Sequence, residues 1–176
     1  MTGADGPLEA GSFAAIDWRT WQPRETATLV FVVQAGRILL IRKKRGLGKG
    51  KITGPGGRLE EGESPAQCAV REAREEVGIT PVGLREAGEL NFQFTDGYGL
   101  RVHVFTAQGC RGQARESDEA VPLWCSLAEI PYEEMWADDY LWIPLLLAGR
   151  WFKGNFLFEG DLMRGYQLEA GLPVPP

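Results

Sequence analysis

The sequence is poor in cysteine and has no long apolar run. Its three cysteines, Cys68, Cys110 and Cys125, are too scattered for a disulfide framework or a CxxC zinc site. No stretch approaches the ~18–20 apolar residues that a membrane-spanning helix needs. The first 18 residues lack the basic and apolar regions of a secretory signal. These absences favour a protein of the reducing cytoplasm that has no membrane partner.

Positive charge is also in deficit. The chain has 19 basic and 24 acidic side chains, a net charge of −5, which argues against binding to nucleic acid polymers. The exception is the basic segment, residues 42–51 (RKKRGLGKGK), which carries six basic side chains. Acidic residues concentrate just downstream, between Glu60 and Glu76. A small anionic substrate held through a divalent metal needs both features, although a strand end running into a solvated basic loop is an equal alternative.

The length and composition predict one main domain. A chain of 176 residues, 44% hydrophobic, suffices for one globular unit with its own core. Residues 1–25, rich in Gly, Ala and Pro, are predicted to be a loose N-terminal extension, on which Trp18 and Trp21 are candidates for packing on the body. Residues 26–170 form the predicted domain, and residues 171–176 a Pro-rich, disordered tail.

The chain alternates between β-rich and helical segments. The apolar runs TLVFVV and RILLIR flank Gln34-Ala35-Gly36 and predict a β-hairpin, which a glycine-rich loop follows. Further strands are predicted at 84–94, 100–107 and 120–125, a final pair within 155–168, and a second helix within 138–149. Pro144 should start or kink part of that helix. This order predicts an α+β fold with a mixed sheet between helices.

The best-marked element is a helix that begins after Ser64. Ser64 is a suitable N-cap, Pro65 occupies the first helical position, and Gln67 completes a capping box. Gly78 should end the helix. The residues predicted to face the core are Ala66, Ala69, Val70, Ala73 and Val77.

The same helix concentrates negative charge. Glu72, Glu75 and Glu76 fall in an arc of about 100°, and like charges at this spacing destabilise a helix by a few tenths of a kcal/mol per pair. A hard divalent cation removes that penalty, and Mg²⁺ prefers carboxylate oxygens. Arg71 is placed to orient one carboxylate, and Glu63 either holds Arg71 or helps to bind metal. The alternative is an ordinary solvated acidic face.

Residues 57–79 (GRLEEGESPAQCAVREAREEVGI) resemble the Nudix signature G-x5-E-x7-R-E-U-x-E-E-x-G-U, in which U is a bulky aliphatic residue. The fixed positions are filled by Gly57, Glu63, Arg71, Glu72, Glu75, Glu76, Gly78 and Ile79. Ala73 at the first U is smaller than usual, a packing adjustment. The resemblance implies the Nudix fold, an α/β/α sandwich around a mixed sheet. It also implies hydrolysis of a nucleoside diphosphate linked to another group.

The resemblance also implies a metal centre. Glu72, Glu75 and Glu76 match metal ligands, and Glu76 or its neighbour Glu75 assists deprotonation of the attacking water. The implied cofactor is Mg²⁺, with Mn²⁺ as the alternative. Metal binding lowers the pKa of water and neutralises charge on phosphoryl oxygens. The Gly56-Gly57 backbone can approach the metal closely because neither residue has a side chain.

From about Thr28 to Leu168 the chain is similar to the MutT-homologue branch, which degrades oxidised purine nucleoside triphosphates. Segments such as NFQF, RVHVF and FKGNFLFEG carry this likeness. In that branch a Trp-x-Asp-Asp segment contacts the base, here Trp136, Asp138 and Asp139. Stacking of a purine on the face of a tryptophan ring contributes ~1–3 kcal/mol to binding. Adjacent buried carboxylates repel, so one should stay protonated and donate while the other accepts. Alternatively, an aspartate caps the second helix and Trp136 is core.

The resemblance assigns further residues to the site, each with an ordinary structural alternative. Phe92 and Phe94 alternate on a strand and are either pocket walls or plain core. Glu119 matches a metal-proximal acid, or belongs to a charged loop. Lys43 lies where similar enzymes place a basic residue at the pocket, or is a solvated lysine at a strand end.

Two departures bear on the substrate. Thr53 stands where the branch has an asparagine, and one hydroxyl cannot make the two-point contact of an amide. Leu47 replaces an aromatic residue. The leading hypothesis is hydrolysis of 8-oxo-dGTP or a related oxidised purine triphosphate by a monomer or weak dimer. The alternatives are a Nudix hydrolase with another nucleotide substrate and a catalytically silent Nudix-fold binding module.

Overall fold

The computed structural model describes residues 11–171. The predictions for residues 1–10 and for tail residues 172–176 lie outside the described residues. The strands are β1 (Glu25–Gln34), β2 (Arg37–Lys43), β3 (Ile52–Thr53), β4 (Gly56–Arg58), β5 (Thr80–Val82), β6 (Arg85–Phe94), β7 (Gly99–Ala107), β8 (Gly109–Arg111), β9 (Ala120–Ser126), β10 (Phe152–Glu159) and β11 (Leu162–Ala170). The α-helices are α1 (Pro65–Val77) and α2 (Asp139–Leu147), and short 3-10 turns span Phe13–Ala15 and Tyr132–Glu134.

The predicted hairpin is confirmed by β1 and β2. Both central residues of its turn have positive φ, 51° at Ala35 and 73° at Gly36. That conformation twists the two strands in the sense that an antiparallel pair prefers. The strands pair from Val33 opposite Ile38.

The predicted boundaries of α1 are also confirmed. The Ser64 side chain accepts from the Gln67 amide at 3.1 Å, and the Gln67 side chain accepts from the Ser64 amide at 2.9 Å. Gly78 ends the helix in the left-handed conformation, with φ 74°. Ala69, Ala73 and Val77 are buried as predicted, whereas Val70 is half-buried.

The prediction that Ala66 faces the core is wrong, because this residue is exposed. The buried stripe of α1 contains Cys68, Ala69, Ala73, Glu76 and Val77. Ala66 points in the same direction as Ala73 and Val77, but it lies in the first turn, beyond the surface that covers the stripe. A glutamate therefore occupies part of the face that packs on the sheet.

The second helix does not start at Pro144, so that alternative is wrong. It begins at Asp139, after a turn in which the Asp139 amide donates to the Trp136 carbonyl at 3.1 Å. Pro144 lies inside the helix on its exposed side. The carbonyl that loses its partner there is that of Tyr140, an exposed residue, so the lost bond lies on the solvent side of the helix.

The strands form a nine-stranded mixed sheet and a separate small pair, β5 with β8. The main path runs β11-β10-β6-β7-β1-β2-β3, with β4 paired to β1 and β9 to β2. Two pairs, β1 with β7 and β6 with β10, are parallel. One core cluster includes Ala69 and Val77 of α1, and another includes Trp142 and Leu146 of α2. The predicted α+β fold, with a mixed sheet between helices, is confirmed.

The short strands β3, β4, β5 and β8 are not predicted by the sequence. They hold two or three residues each, and β3 and β4 lie in the segment predicted to be a glycine-rich loop. Within residues 11–171, no helix has the length and apolar character that a bilayer crossing requires.

Candidate active site

A cavity of about 530 Å³ lies against the strands at the centre of the sheet, and both helices contribute to its lining. It brings together two groups of predicted residues. The acidic group consists of Gly56, Glu72, Glu76 and Glu119, and the pocket group of Lys43, Thr53, Phe92, Phe94, Trp136, Asp138 and Asp139. Glu75 and Arg71 do not line this cavity. The division gives the cavity an acidic end and a largely aromatic end.

Three carboxylates meet at the acidic end. Oxygens of Glu72, Glu76 and Glu119 all lie within 4.8 Å of one another. The first two come from α1, and Glu119 comes from the residue before β9. Glu75 is not in this group, since its side chain is 53% exposed and accepts a hydrogen bond from Arg71 at 3.2 Å.

Arg71 fixes the orientation of Glu72. Its Nε and Nη2 donate to the two carboxylate oxygens of Glu63, at 2.7 and 2.9 Å, and its Nη1 donates to Glu72 at 2.7 Å. The guanidinium and the Glu60 amide hold the pKa of Glu63 at about 2. Of the two roles open to Glu63, the structure places it in the one that holds Arg71. A bidentate guanidinium–carboxylate pair of this kind fixes the orientation of the arginine side chain as well as balancing its charge.

The two glycines at the acidic end are required for different physical reasons. A Cβ at Gly57 would lie 2.4 Å from the Glu72 carboxyl carbon, so any side chain there displaces that carboxylate. A Cβ at Gly56 would lie 1.9 Å from the Thr28 carbonyl oxygen of β1. Gly56 is thus required by strand pairing, and its amide faces Glu76 Oε1 at 3.2 Å.

Burial dominates the electrostatics of this end. It raises the pKa of Glu76 to about 8, against the hydrogen bond from Gly56 and with a further contribution from Glu72. Burial also raises the pKa of Glu72, against Arg71. The ammonium of Lys43 faces these carboxylates. Burial lowers the pKa of Lys43, and this effect outweighs the opposing attraction of Glu76, Glu119 and Glu72. At Glu72 and Glu76, desolvation therefore outweighs the nearby positive charge of Arg71 and Lys43.

The donor set fits a hard divalent cation. It consists of carboxylate oxygens, which Mg²⁺ and Mn²⁺ prefer to nitrogen or sulfur. Two positive charges would offset the repulsion and desolvation that keep the pKa of Glu76 high. Glu72, Glu76 and Glu119, with the backbone at Gly56, are the residues that could hold it.

Two adjacent carboxyl groups are buried at the other end of the cavity. Asp138 Oδ2 accepts from Trp142 Nε1 at 2.8 Å, whereas its Oδ1 is buried without a hydrogen-bond partner within residues 11–171. Burial raises the pKa of both Asp138 and Asp139, and mutual repulsion adds to the shift of Asp139. Asp138 occupies the N-cap position of α2, but its side chain makes no capping bond. The simple capping alternative therefore does not describe Asp138.

Trp136 is held from two sides. Its ring makes edge contacts with Phe158 and Phe94, at centroid distances of 5.5 and 6.2 Å. The Lys51 ammonium lies 5.0 Å from the ring centroid, and a Cβ at Gly48 would lie 2.9 Å from the indole nitrogen. The basic segment therefore packs on the tryptophan that lines the cavity.

Most side chains of the basic segment already have acidic partners. Arg42 pairs with Glu134 at 2.8 Å and Arg45 with Glu119 at 2.6 Å. Lys44 also pairs with Glu116, and Lys51 with Asp161, at 2.5 and 3.2 Å. Neither sequence alternative describes this arrangement, in which the segment is fastened to the body by ion pairs.

Sequence reasoning missed several polar residues that line the cavity, among them Arg45, Arg58 and Tyr98. Arg45 belongs to the basic segment, but nothing in its spacing distinguishes it from its neighbours. Tyr98 follows the Asp96-Gly97 turn, and this turn between two alternating strands was the available signal. Arg58 directly follows the glycine pair, which draws attention to the backbone and not to the next side chain.

Comparison with known proteins decides the family. The NUDIX domain model matches residues 23–146. The chain belongs to the Nudix family. This confirms the fold and family that the signature predicts, and divalent-metal dependence is general among Nudix hydrolases.

The matches to two curated relatives cover nearly all of each relative's length. The oxidized purine nucleoside triphosphate hydrolase of Danio rerio is 47% identical over 144 residues, 81% of this chain and 92% of the relative. The Mus musculus protein of the same name is 41% identical over 143 residues, 80% of this chain and 92% of the relative. A crystal structure of a MutT protein from Bacillus halodurans has a TM-score of 0.74 and 28% identity, covering 82% of this chain and 97% of that one.

Glu76 should make the stability of the metal-free Nudix protein depend on pH. Its folded pKa of about 8 lies above the ordinary 4.5, so between these values the folded state keeps a proton that the unfolded state releases. This contribution is full below the lower pKa and is lost as pH rises through the higher one. Between about pH 5 and about pH 8, the unfolding free energy should fall more in wild type than in Glu76→Gln. Urea denaturation with a chelator measures this, and parallel profiles would contradict the raised pKa.

Proposed function

We propose that this Nudix protein hydrolyses oxidised purine nucleoside triphosphates such as 8-oxo-dGTP to the monophosphate and pyrophosphate. The observation that carries the proposal is one cavity with a carboxylate cluster at one end and Trp136, Asp138 and Asp139 at the other. Such a cavity suits a ligand with a polyphosphate tail and a flat polar base. The names of the zebrafish and mouse relatives support this substrate class.

At the acidic end, Glu72, Glu76 and Glu119 would hold Mg²⁺ or, as the alternative, Mn²⁺, together with the Gly56 backbone and with Glu75 as a further ligand. A cation bound there supplies charge neutralisation at phosphoryl oxygens and acidifies water. Glu76, with Glu75 as the alternative, takes the proton from the attacking water. Position supports the assignment to Glu76, because Glu76 lines the cavity and Glu75 does not. Arg71 positions Glu72 through their 2.7 Å hydrogen bond.

At the other end, Asp138 and Asp139 contact the base edge. The raised pKa of both groups supports one protonated and one ionised carboxyl, a donor beside an acceptor. Asp138 Oδ1 has no partner within residues 11–171 and is the open acceptor or donor of the pair. Phe92 and Phe94 form the walls with Trp136, and Lys43 lines the cavity near the carboxylates of Glu76, Glu119 and Glu72.

A separate observation supports a second substrate class within the same family. Thr53 is buried and lines the cavity, where a single hydroxyl limits the contacts that a base can make. Leu47 lines the mouth without the stacking surface of an aromatic ring. A purine with another modification, or none, is therefore the second candidate. A silent binding module is disfavoured by the presence of every signature glutamate.

We also propose a cytoplasmic monomer or weak dimer that binds a nucleotide and not a nucleic acid polymer. The cysteines are all unpaired, which suits a reducing compartment.

Pyrophosphate release tests the substrate. With Mg²⁺ and matched low concentrations, 8-oxo-dGTP should be hydrolysed at least about 10-fold faster than dGTP, since ~1–3 kcal/mol separates a paired from an unpaired buried polar group. Equal rates would favour the second substrate class. No turnover of any triphosphate in the presence of Mg²⁺ or Mn²⁺ would favour the silent module.

Replacing Glu76 by glutamine should lower turnover by at least about 100-fold, because it removes a metal ligand and the proposed base. The fold should survive, since glutamine keeps the volume and can still accept from Gly56. Glu61→Gln is the matched control, because Glu61 is exposed and outside the cavity. Circular dichroism and steady-state rates measure both variants. Near-normal turnover in Glu76→Gln would refute its assignment.

Asp138→Asn should change base preference more than maximal rate. The asparagine oxygen can still accept from Trp142, but its amide then offers a fixed donor where a carboxylate accepts. The ratio of kcat/KM for 8-oxo-dGTP over dGTP should change about 10-fold or more. The exposed Asp118→Asn serves as the control. An equal loss on both nucleotides would show that Asp138 does not contact the base.

A further inference from the structure

The segment before β1 packs on the sheet through aromatic residues. Phe13, Trp18 and Trp21 form a row with successive ring-centroid distances of 5.6 and 5.5 Å. A Cβ at Gly165 of β11 would lie 2.6 Å from Phe13, which shows how closely this row approaches the outer strands. The family match begins at residue 23, so all three aromatic residues lie outside it.

Trp21 contacts the body at three points near the β6–β7 turn. Its Nε1 donates to Gln93 Oε1 at 2.7 Å. The Arg101 guanidinium lies 5.7 Å from its ring centroid. A Cβ at Gly99 would lie 3.1 Å from the ring, and the nearby Arg24 amide donates to the Gly99 carbonyl at 2.9 Å.

Gln93 passes this contact to the turn itself. Its Nε2 donates to the carbonyls of Phe94 and Tyr98, at 2.9 and 3.2 Å. The Trp21 bond fixes the amide orientation, because Oε1 must face the indole for Nε2 to face both carbonyls. Both ends of the turn are thereby tied to one side chain.

The turn carries two residues of the cavity wall. Phe94 and Tyr98 line the cavity, and their rings lie 5.9 Å apart. Phe94 also contacts Trp136, at a centroid distance of 6.2 Å. The Tyr98 hydroxyl donates to Glu25 at 2.6 Å, and Glu25 pairs with Arg58, another lining residue.

We propose that Trp21 is a positioning residue, through which the segment before the family domain sets the base-facing wall of the cavity. It acts through Gln93 on Phe94 and Tyr98 and touches no substrate. The inference rests on the proposed function only in taking this cavity as the nucleotide site. Such a contact should affect substrate binding and not the chemical step, because the acidic group lies at the other end.

The test compares Trp21→Phe and Gln93→Leu with Trp18→Phe in the full chain. Phenylalanine at position 21 keeps an aromatic ring but removes the N–H that Gln93 accepts. Trp18 is the matched control, because its indole nitrogen is buried without a hydrogen-bond partner within residues 11–171. The readouts are amide hydrogen exchange in residues 94–99, and KM and kcat for the nucleotide that wild type hydrolyses best.

Trp21→Phe and Gln93→Leu should both speed exchange in the turn and raise KM about 3- to 10-fold, the equivalent of one net hydrogen bond. Their kcat should stay within about twofold of wild type, and Trp18→Phe should change neither readout. Unchanged exchange, an unchanged KM, or an equal KM effect in Trp18→Phe would overturn the proposal. If wild type hydrolyses no nucleotide, the proposed function fails, and the exchange data still decide whether Trp21 holds the turn.

Discussion

The close approach of α1 to the glycine pair of β4 is the constraint on which the acidic end depends. The helix presents Glu72 and Glu76 towards the sheet, and the Cβ-free backbone of Gly57 leaves room for the first of them. Gly56 can pair with β1 only without a side chain, and its amide then faces Glu76. A side chain at either glycine would separate helix from strand and disperse the carboxylates. The core of α1 thus forms together with the site, since Glu76 lies in the same buried stripe as Ala73 and Val77.

The two ends of the cavity use buried carboxyl groups in opposite ways. At the acidic end the repulsion among Glu72, Glu76 and Glu119 favours an incoming cation, because two positive charges relieve it. At the other end no basic side chain pairs with Asp138 or Asp139 within residues 11–171, and their repulsion favours a retained proton. The same functional group thus forms a carboxylate cluster suited to a cation at one end and a pair suited to neutral hydrogen bonding at the other. The difference arises from neighbours: Arg71 and the Gly56 amide at one end, and Trp142 and aromatic walls at the other.

Local chemistry explains which features the sequence predicts correctly. Ser64, Gln67 and Gly78 act within one helix, and Ala35-Gly36 within one turn, so their patterns determine α1 and the hairpin without tertiary information. The same holds for the i,i+4 pair Glu72 and Glu76. Ala66 is misassigned because helical periodicity gives the direction of a stripe and not where the partner surface ends. Pro144 is misassigned because its cost depends on which carbonyl loses its bond, and that depends on which side of α2 faces water.

The features that sequence reasoning missed are decided between distant elements. β3 and β4 exist because β2 and β1 offer them hydrogen bonds, although the glycines in and around them favour loops. Glu119 approaches α1 only after the chain has passed through four strands, so the resemblance was its sole signal. The basic segment shows the same limit, since four of its six cations have acidic partners from other elements. An anionic substrate can use those charges only by displacing a carboxylate. For the proposed substrate, attraction of the polyphosphate would therefore depend on a bound cation more than on these four paired side chains, which is why the glutamates of α1 are the better guide to the reaction.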